Sequence, residues 1–274
     1  MIKYIFYLVL KRRQLNPYYE TDSCKLYKCD NLELMNQIPD EYIDLIYCDI
    51  LYNTGKNFDD YNDNLGTPQE AILWYEPRLI EMFRTLKGSG VICLQMDYRL
   101  SHYMKIKLDE IFGIKNFKNE IIWCYRGGGV SKKAFANKHD TILVYAKDIK
   151  QSIYNPQYSE YSEDSKKLIT DRKGKRIDGS EVDLERGCHM NDWWTDINAL
   201  QTWSPERLKY DTQKPKALIR RLVDAFIEGN NKIIADFFMG SGSTGEVAIE
   251  TNNRFIGCDI GDKACKIAKN RLLE

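Results

Sequence analysis

Residues 231–260 read NKIIADFFMGSGSTGEVAIETNNRFIGCDI. The apolar run at 231–238 has the look of a strand buried on both faces. A glycine-rich turn follows at 239–245, then a helical segment beginning EVAIETN, then a second strand, RFIGCDI, at 254–260. Strand, turn, helix and strand in that order make a βαβ unit, so the two strands run parallel. Gly240 and Gly242 let the backbone bend sharply and approach a ligand closely. Asp259 ends the second strand, 19 residues after Gly240. An acidic residue there can bind both hydroxyls of a ribose, so the spacing suits an adenosine-containing cofactor. GSGSTG is not GxGxxG, because its third glycine comes one residue early; the motif alone also fits a tight turn that binds nothing.

The same alternation extends outward. KLYKCDNLELM (25–35) reads as a short strand followed by a helix opened at Asp30 and Asn31, and IDLIYCDILY (43–52) as a second doubly buried strand. Helices are expected at 68–86 and 101–112, with a turn and a buried strand at 88–97 between them. NEIIWCY (119–125) and HDTILVYAK (139–147) are strand-like and joined by the basic, glycine-rich loop RGGGVSKKAFANK, which implies an antiparallel hairpin at one edge. From 148 to 210 apolar periodicity fades, and an inserted irregular region is expected. A helix at 214–227, opened near Pro215, restores the pattern, and a last helix ends the chain. The whole is a doubly wound α/β sheet.

Composition narrows the function classes. The 274 residues carry 40 basic and 40 acidic side chains, so any nucleic-acid surface must be local. The eight cysteines form no CxxC pair, and the three histidines lack metal-ligand spacing. Reduced thiols in a cytoplasmic protein are expected, with no metal. The apolar run near the start of MIKYIFYLVLKRRQ is too short to span a membrane.

The second chemical signal is YCDILYNTG (47–55). Strand ends in a doubly wound sheet face the ligand crevice, so Asp49 and Asp236 both point there. Asp49 and the Ile50 carbonyl offer two hydrogen-bond acceptors, and Tyr52 offers a ring for stacking. That set suits the exocyclic amino group of a flat base. Accepting both amino hydrogens localises the nitrogen lone pair, which can then attack an electrophilic methyl carbon directly.

DILYNTG at 49–55, the irregular region at 148–210 and DFFMGSGSTG at 236–245 stand in the order of the β-class amino-group DNA methyltransferases, N6-adenine or N4-cytosine, and the chain resembles that family. The edge hairpin, ERLKYDTQKP (206–215), RFIGCDI and the final KIAKNRL agree as well, so the resemblance runs from about residue 25 onward. It implies a mostly parallel, seven-stranded Rossmann-like sheet. The implied division is an N-terminal extension (1–24), a catalytic half (25–147), a target-recognition insertion (148–210) and a cofactor half (211–274). It also implies S-adenosylmethionine as cofactor. Asp49, Ile50, Leu51 and Tyr52 form the catalytic tetrad. Asp236, Phe237, Phe238, Gly240, Ser241, Gly242, Ser243 and Thr244 would hold the methionine end, Asp259 the ribose and Asp30 the adenine, with Thr212, Gln213, Lys214 and Pro215 closing the pocket. The family's tetrad is usually Asp-Pro-Pro-Tyr and its cofactor loop usually starts Asp-Pro-Phe; here Ile50, Leu51 and Phe237 replace the prolines. Aspartate in the first position favours adenine.

The implied partner is double-stranded DNA, with the target base flipped out to reach Asp49. Two basic runs could meet its phosphates: Arg126, Lys132, Lys133 and Lys138, and Lys166, Lys167, Arg172, Lys173, Lys175 and Arg176. A homodimer and a cognate restriction endonuclease are expectations of the resemblance. The competing readings are N4-cytosine methylation, a degenerate DNA-binding homologue and, from the glycine loop alone, a nicotinamide-dependent oxidoreductase.

Overall fold

The structure is a computed structural model that describes residues 14–127, 129, 131–172, 174–175 and 179–273. Its strands are β1 (Tyr19–Glu20), β2 (Cys24–Lys28), β3 (Ile43–Asp49), β4 (Lys56–Asn57), β5 (Asn62–Asp63), β6 (Leu86–Met96), β7 (Phe117–Cys124), β8 (His139–Ala146), β9 (Tyr158–Ser159), β10 (Cys188–His189), β11 (Trp193–Trp194), β12 (Ile233–Asp236) and β13 (Arg254–Asp259). The helices are α1 (Asn31–Met35), α2 (Pro68–Thr85), α3 (Ser101–Phe112), α4 (Glu163–Asp171), α5 (Lys216–Phe226), α6 (Ser243–Glu250) and α7 (Asp262–Arg271).

The main sheet has the order β1-β2-β13-β12-β3-β6-β8-β7-β11. From β2 to β6 every pairing is parallel, and β8 then runs antiparallel to both β6 and β7. The seven strands expected from the sequence are all present. Two-residue strands, β1 and β11, extend the sheet at its ends.

The apolar run at 43–50 feeds both faces, as a doubly covered strand must. Leu45 and Tyr47 pack with α5, α6 and α7, while Ile46, Cys48 and Ile50 pack with α1, α2 and α3. Helix α2 starts where its sequence says it should. Thr67 accepts from the Glu70 N–H, the Glu70 carboxylate accepts from the Thr67 N–H, and Pro68 occupies the first turn.

Two expectations need correction. Gly88-Ser89-Gly90 is not a turn before β6 but part of it, since the strand begins at Leu86. A Cβ on Gly90 would come within 3.1 Å of the Ile43 carbonyl oxygen, and the β3–β6 register shifts between Ile43 and Leu45; the glycine lets two backbones meet across a bulge. The insertion at 148–210 is also less separate than its composition suggests. Trp193 and Trp194 pair in parallel with β7, so the β7–β8 hairpin is not the outermost edge. Trp194 is buried, with its indole N–H donated to the Asn191 carbonyl, and Trp193 is exposed.

The consequence for function lies between β12 and β3, which are neighbours (Ala235 opposite Ile46). From β3 the chain winds toward β6, and from β12 it winds the other way, toward β13. Such a reversal opens a crevice at the carboxyl ends of the strands, where Asp49, Asp236 and Asp259 stand.

Candidate functional site

A cavity of about 370 Å³ occupies this crevice. Its wall includes the whole tetrad 49–52. It also includes Asp30, Thr212, Gln213, Lys214, Asp236, Phe237, Phe238, Gly240, Ser241, Ser243, Thr244 and Asp259. Asp30 and Asp259, 229 positions apart in sequence, thus share one pocket. Pro215 and Gly242 are not among the lining residues. Pro215 caps α5. Gly242 has φ +79°, and a Cβ there would lie 2.9 Å from the Ala268 methyl, so it allows close packing of the turn on α7.

The turn after β12 is held by the carboxylates that end β12 and β13, with Arg271 of α7 donating to Ser241 and Ser243 and Asn31 of α1 to the Phe237 carbonyl. Asp236, 2 % exposed, accepts from the Thr244 hydroxyl at 2.6 Å and from the Phe238 N–H at 3.0 Å. Burial raises its carboxyl to about 7, against the pull of those two bonds. Asp259 accepts from the N–H groups of Gly261 at 2.8 Å and Gly240 at 3.0 Å, so the carboxylate ending β13 braces the glycine turn. Burial raises its pKa too, opposed by those N–H groups. Asp30 is an N-cap, accepting from the Leu32 N–H, and it also pairs with Arg78 at 2.8 Å. The Arg78 guanidinium stacks on Trp74, 3.4 Å from the ring centroid.

The turn after β3 is held by residues from elsewhere. The Ile50 N–H donates to the Gln95 carbonyl at 3.1 Å, a bond the usual proline could not make. The Tyr75 hydroxyl donates to the Leu51 carbonyl at 2.9 Å. Asn53 has φ +55°, and the buried Asp63 accepts from the N–H groups of Asn53 and Thr54 and from the Thr54 hydroxyl. These bonds supply the order that the missing prolines would have supplied.

The tetrad's polar groups form one chain. The Tyr52 hydroxyl lies 2.7 Å from Asp49 Oδ1 and 2.8 Å from Asp140 Oδ2, so one hydrogen faces two carboxylates. Asp140 also accepts from Gln95 Nε2 and the Tyr125 hydroxyl, and Gln95 accepts from the Tyr47 hydroxyl. On the far side of Asp49, Lys214 Nζ donates to Oδ2 at 2.7 Å and lies 5.2 Å from the Tyr52 ring centroid. Burial pushes the Asp49 carboxyl up, and Lys214 and Tyr52 pull against that rise. Burial pulls the Lys214 ammonium down, but Asp49 and Asp140 outweigh it, and its pKa is raised.

Sequence reading missed Asp140, Gln95, Asp63, Tyr75 and Arg78. A signal existed for two: Asp140 and Gln95 are polar residues inside apolar strand runs, and a buried polar side chain needs a partner. Of the two basic runs, none of the described residues forms part of the cavity wall. Arg126, Lys132 and Lys133 are exposed and Lys138 half-buried on the β7–β8 loop, whose base carries Tyr125 and Asp140. Lys166 pairs with Glu163 on α4, and Lys167, Arg172 and Lys175 are exposed. Lys173 and Arg176 lie outside the described residues.

Chemically, the cavity suits a cationic, aromatic-bearing ligand. It offers the carboxylates of Asp30, Asp49, Asp236 and Asp259 and the rings of Trp74, Phe58, Tyr61 and Phe238. A sulfonium and an α-ammonium match the excess of acid, and an adenine matches the rings. Among the described residues no cluster fit to hold a metal occurs, and no helix is long and apolar enough to cross a membrane.

Comparison with known proteins agrees with this chemistry. The family description "DNA methylase" for N6/N4 methyltransferases matches residues 43–270. The DNA adenine methyltransferase YhdJ of Escherichia coli is 29% identical over 254 residues, covering 89% of this chain and 80% of that protein. The solved structure of the PvuII DNA methyltransferase (cytosine-N4-specific) superposes with a TM-score of 0.67 at 16% identity, covering 95% of this chain and 90% of that one. The M1.HpyAVI–SAM complex gives 0.61 at 18% identity, covering 91% and 98%.

Proposed function

The chain belongs to the N6/N4 DNA methylase family, and we propose that it is an adenine-N6 DNA methyltransferase acting on a base flipped out of the duplex. S-adenosylmethionine, held by the turn at 239–245 with Asp236 and Asp259, would supply an electrophilic methyl carbon on a sulfonium; the amino nitrogen would take the methyl as sulfur keeps the C–S electron pair, and the displaced amino proton would pass to solvent. Asp49 and the Ile50 carbonyl accept the two amino hydrogens and localise the nitrogen lone pair. Tyr52 stacks on the base, its hydroxyl tied to Asp49 and Asp140. The glycine turn at 239–245, with Asp236 and Asp259 behind it, positions the donor. Phosphates are met by the β7–β8 loop and by the basic residues of 148–210, the region proposed for target recognition.

The observation that carries this reading is Asp49 itself: a carboxylate ending β3, ion-paired with Lys214, and one turn from a tyrosine ring. An aspartate in that place favours adenine over cytosine within the family, and YhdJ, an adenine methyltransferase by name, supports the same base. The test is transfer from labelled S-adenosylmethionine to unmethylated DNA, read by nucleoside mass spectrometry. N6-methyladenine is expected, with the rate falling about 100- to 1,000-fold or more in Asp49→Ala. N4-methylcytosine would overturn the base assignment and keep the mechanism.

A further inference from the structure

The resemblance put Lys214 among the residues that close the cofactor pocket, but its ammonium sits on the Asp49 carboxylate at 2.7 Å. Both side chains are largely buried, 13% and 17% exposed. We infer that Lys214 is a positioning residue for the tetrad: its fixed positive charge holds Asp49 ionised, as an acceptor aimed at the target amino group. This deepens the proposed function and rests on Asp49 being that acceptor.

The electrostatics of the pocket require such a partner. Asp49 faces Asp140 from β8 and shares the Tyr52 hydroxyl with it, while Asp97 beyond β6 and Asp236 at the end of β12 add negative charge. The surrounding phenols, Tyr47, Tyr52, Tyr61, Tyr125 and Tyr210, are all raised by burial and stay neutral, so they offer no counter-charge. Burial already pushes the Asp49 proton on, and a protonated Asp49 would spend one oxygen as a donor. Among the described residues Lys214 is the cation in contact with it.

The test compares the wild type with Lys214→Gln, which keeps a donor to Asp49 and drops the charge, with Lys214→Met as a second removal and Lys214→Arg as the conservative rescue. Asp49 is followed by carbon NMR of aspartate-labelled protein, assigned by the peak lost in Asp49→Asn. Its titration midpoint is expected to rise in the Gln and Met variants by about one unit, a tenfold weaker acid. The acidic limb of kcat should move by the same amount, with the rate recovering at high pH and Arg restoring the wild-type limb. An unmoved Asp49 midpoint, or equal loss of rate at every pH, would overturn the inference. The NMR arm needs no turnover, so a protein that methylates cytosine, or nothing, defeats the proposed function and leaves this inference to be decided by the midpoint.

Discussion

Two turns leave neighbouring parallel strands at the same edge of the sheet, and they are braced by different kinds of group. Each starts at an aspartate, Asp49 or Asp236, and each lacks the proline usual in the family. The turn after β12 is closed largely by strand-end carboxylates: Asp236 is bound by Thr244 and Phe238, Gly240 by the carboxylate that ends the next strand, and Arg271 of α7 donates to Ser241 and Ser243. The turn after β3 is borrowed: Gln95, Tyr75, Asp63, Asp140 and Lys214 reach it from other segments. The difference matches the proposed tasks. A cofactor loop presents mainly backbone, which glycine and one strand-end carboxylate can shape. A catalytic turn must aim side chains, and aim is set by what surrounds them.

Breaking the borrowed turn should give the largest effect. Asp63→Ala removes three hydrogen bonds to a buried carboxylate and should cost about 3 kcal/mol of stability. Methyl transfer should fall with it while cofactor affinity stays near the wild type, as read by denaturant titration, turnover and calorimetry. An equal loss of cofactor binding would show that the two turns are coupled. Gly242→Ala attacks the turn after β12. An alanine at φ +79°, against Ala268, should cost about 2 kcal/mol and weaken cofactor binding before it slows the bound enzyme.

Asp236 sharpens the contrast through pH. Burial has raised it from 3.8 to about 7. The cost of ionising it is therefore absent below the lower value, grows through the interval and is complete above the upper one. Asp236→Asn should be more stable than the wild type above neutral pH, by on the order of 2 kcal/mol, and the gain should vanish in acid. Thermal melts across that range check it; a gain independent of pH would break the account. The smallest effect is expected from Ile50→Pro, which returns the family's stiffener. The proline lowers the entropy of the unfolded turn by about 0.4–1 kcal/mol but deletes the N–H bond to Gln95, worth about as much. A melting temperature close to the wild type is the expected result.

Much of the fold was legible because its signals are local. Continuous apolar runs mark β3, β6, β8 and β12, Thr67-Pro68-x-Glu70 marks the start of α2, and glycines mark the turn after β12. The insertion was less legible, because the pairing of Trp193–Trp194 with β7 depends on a neighbour distant in sequence. The cavity shows the same divide. Asp49, Asp236 and Asp259 end strands, and a strand end announces itself in the chain.

By itself, then, the sequence determined the doubly wound sheet, the edge where the candidate site lies and the residues that two local motifs bring there, because helix and strand periods and glycine turns are properties of short stretches. Tertiary structure alone decided that Lys214, 165 residues away, meets Asp49, and that Asp140, 88 residues from Tyr52, shares its hydroxyl. Contacts of that kind depend on strand order and on the depth to which each side chain is buried. Burial gives them their force: a charge or hydroxyl withdrawn from water must find its partner inside the protein.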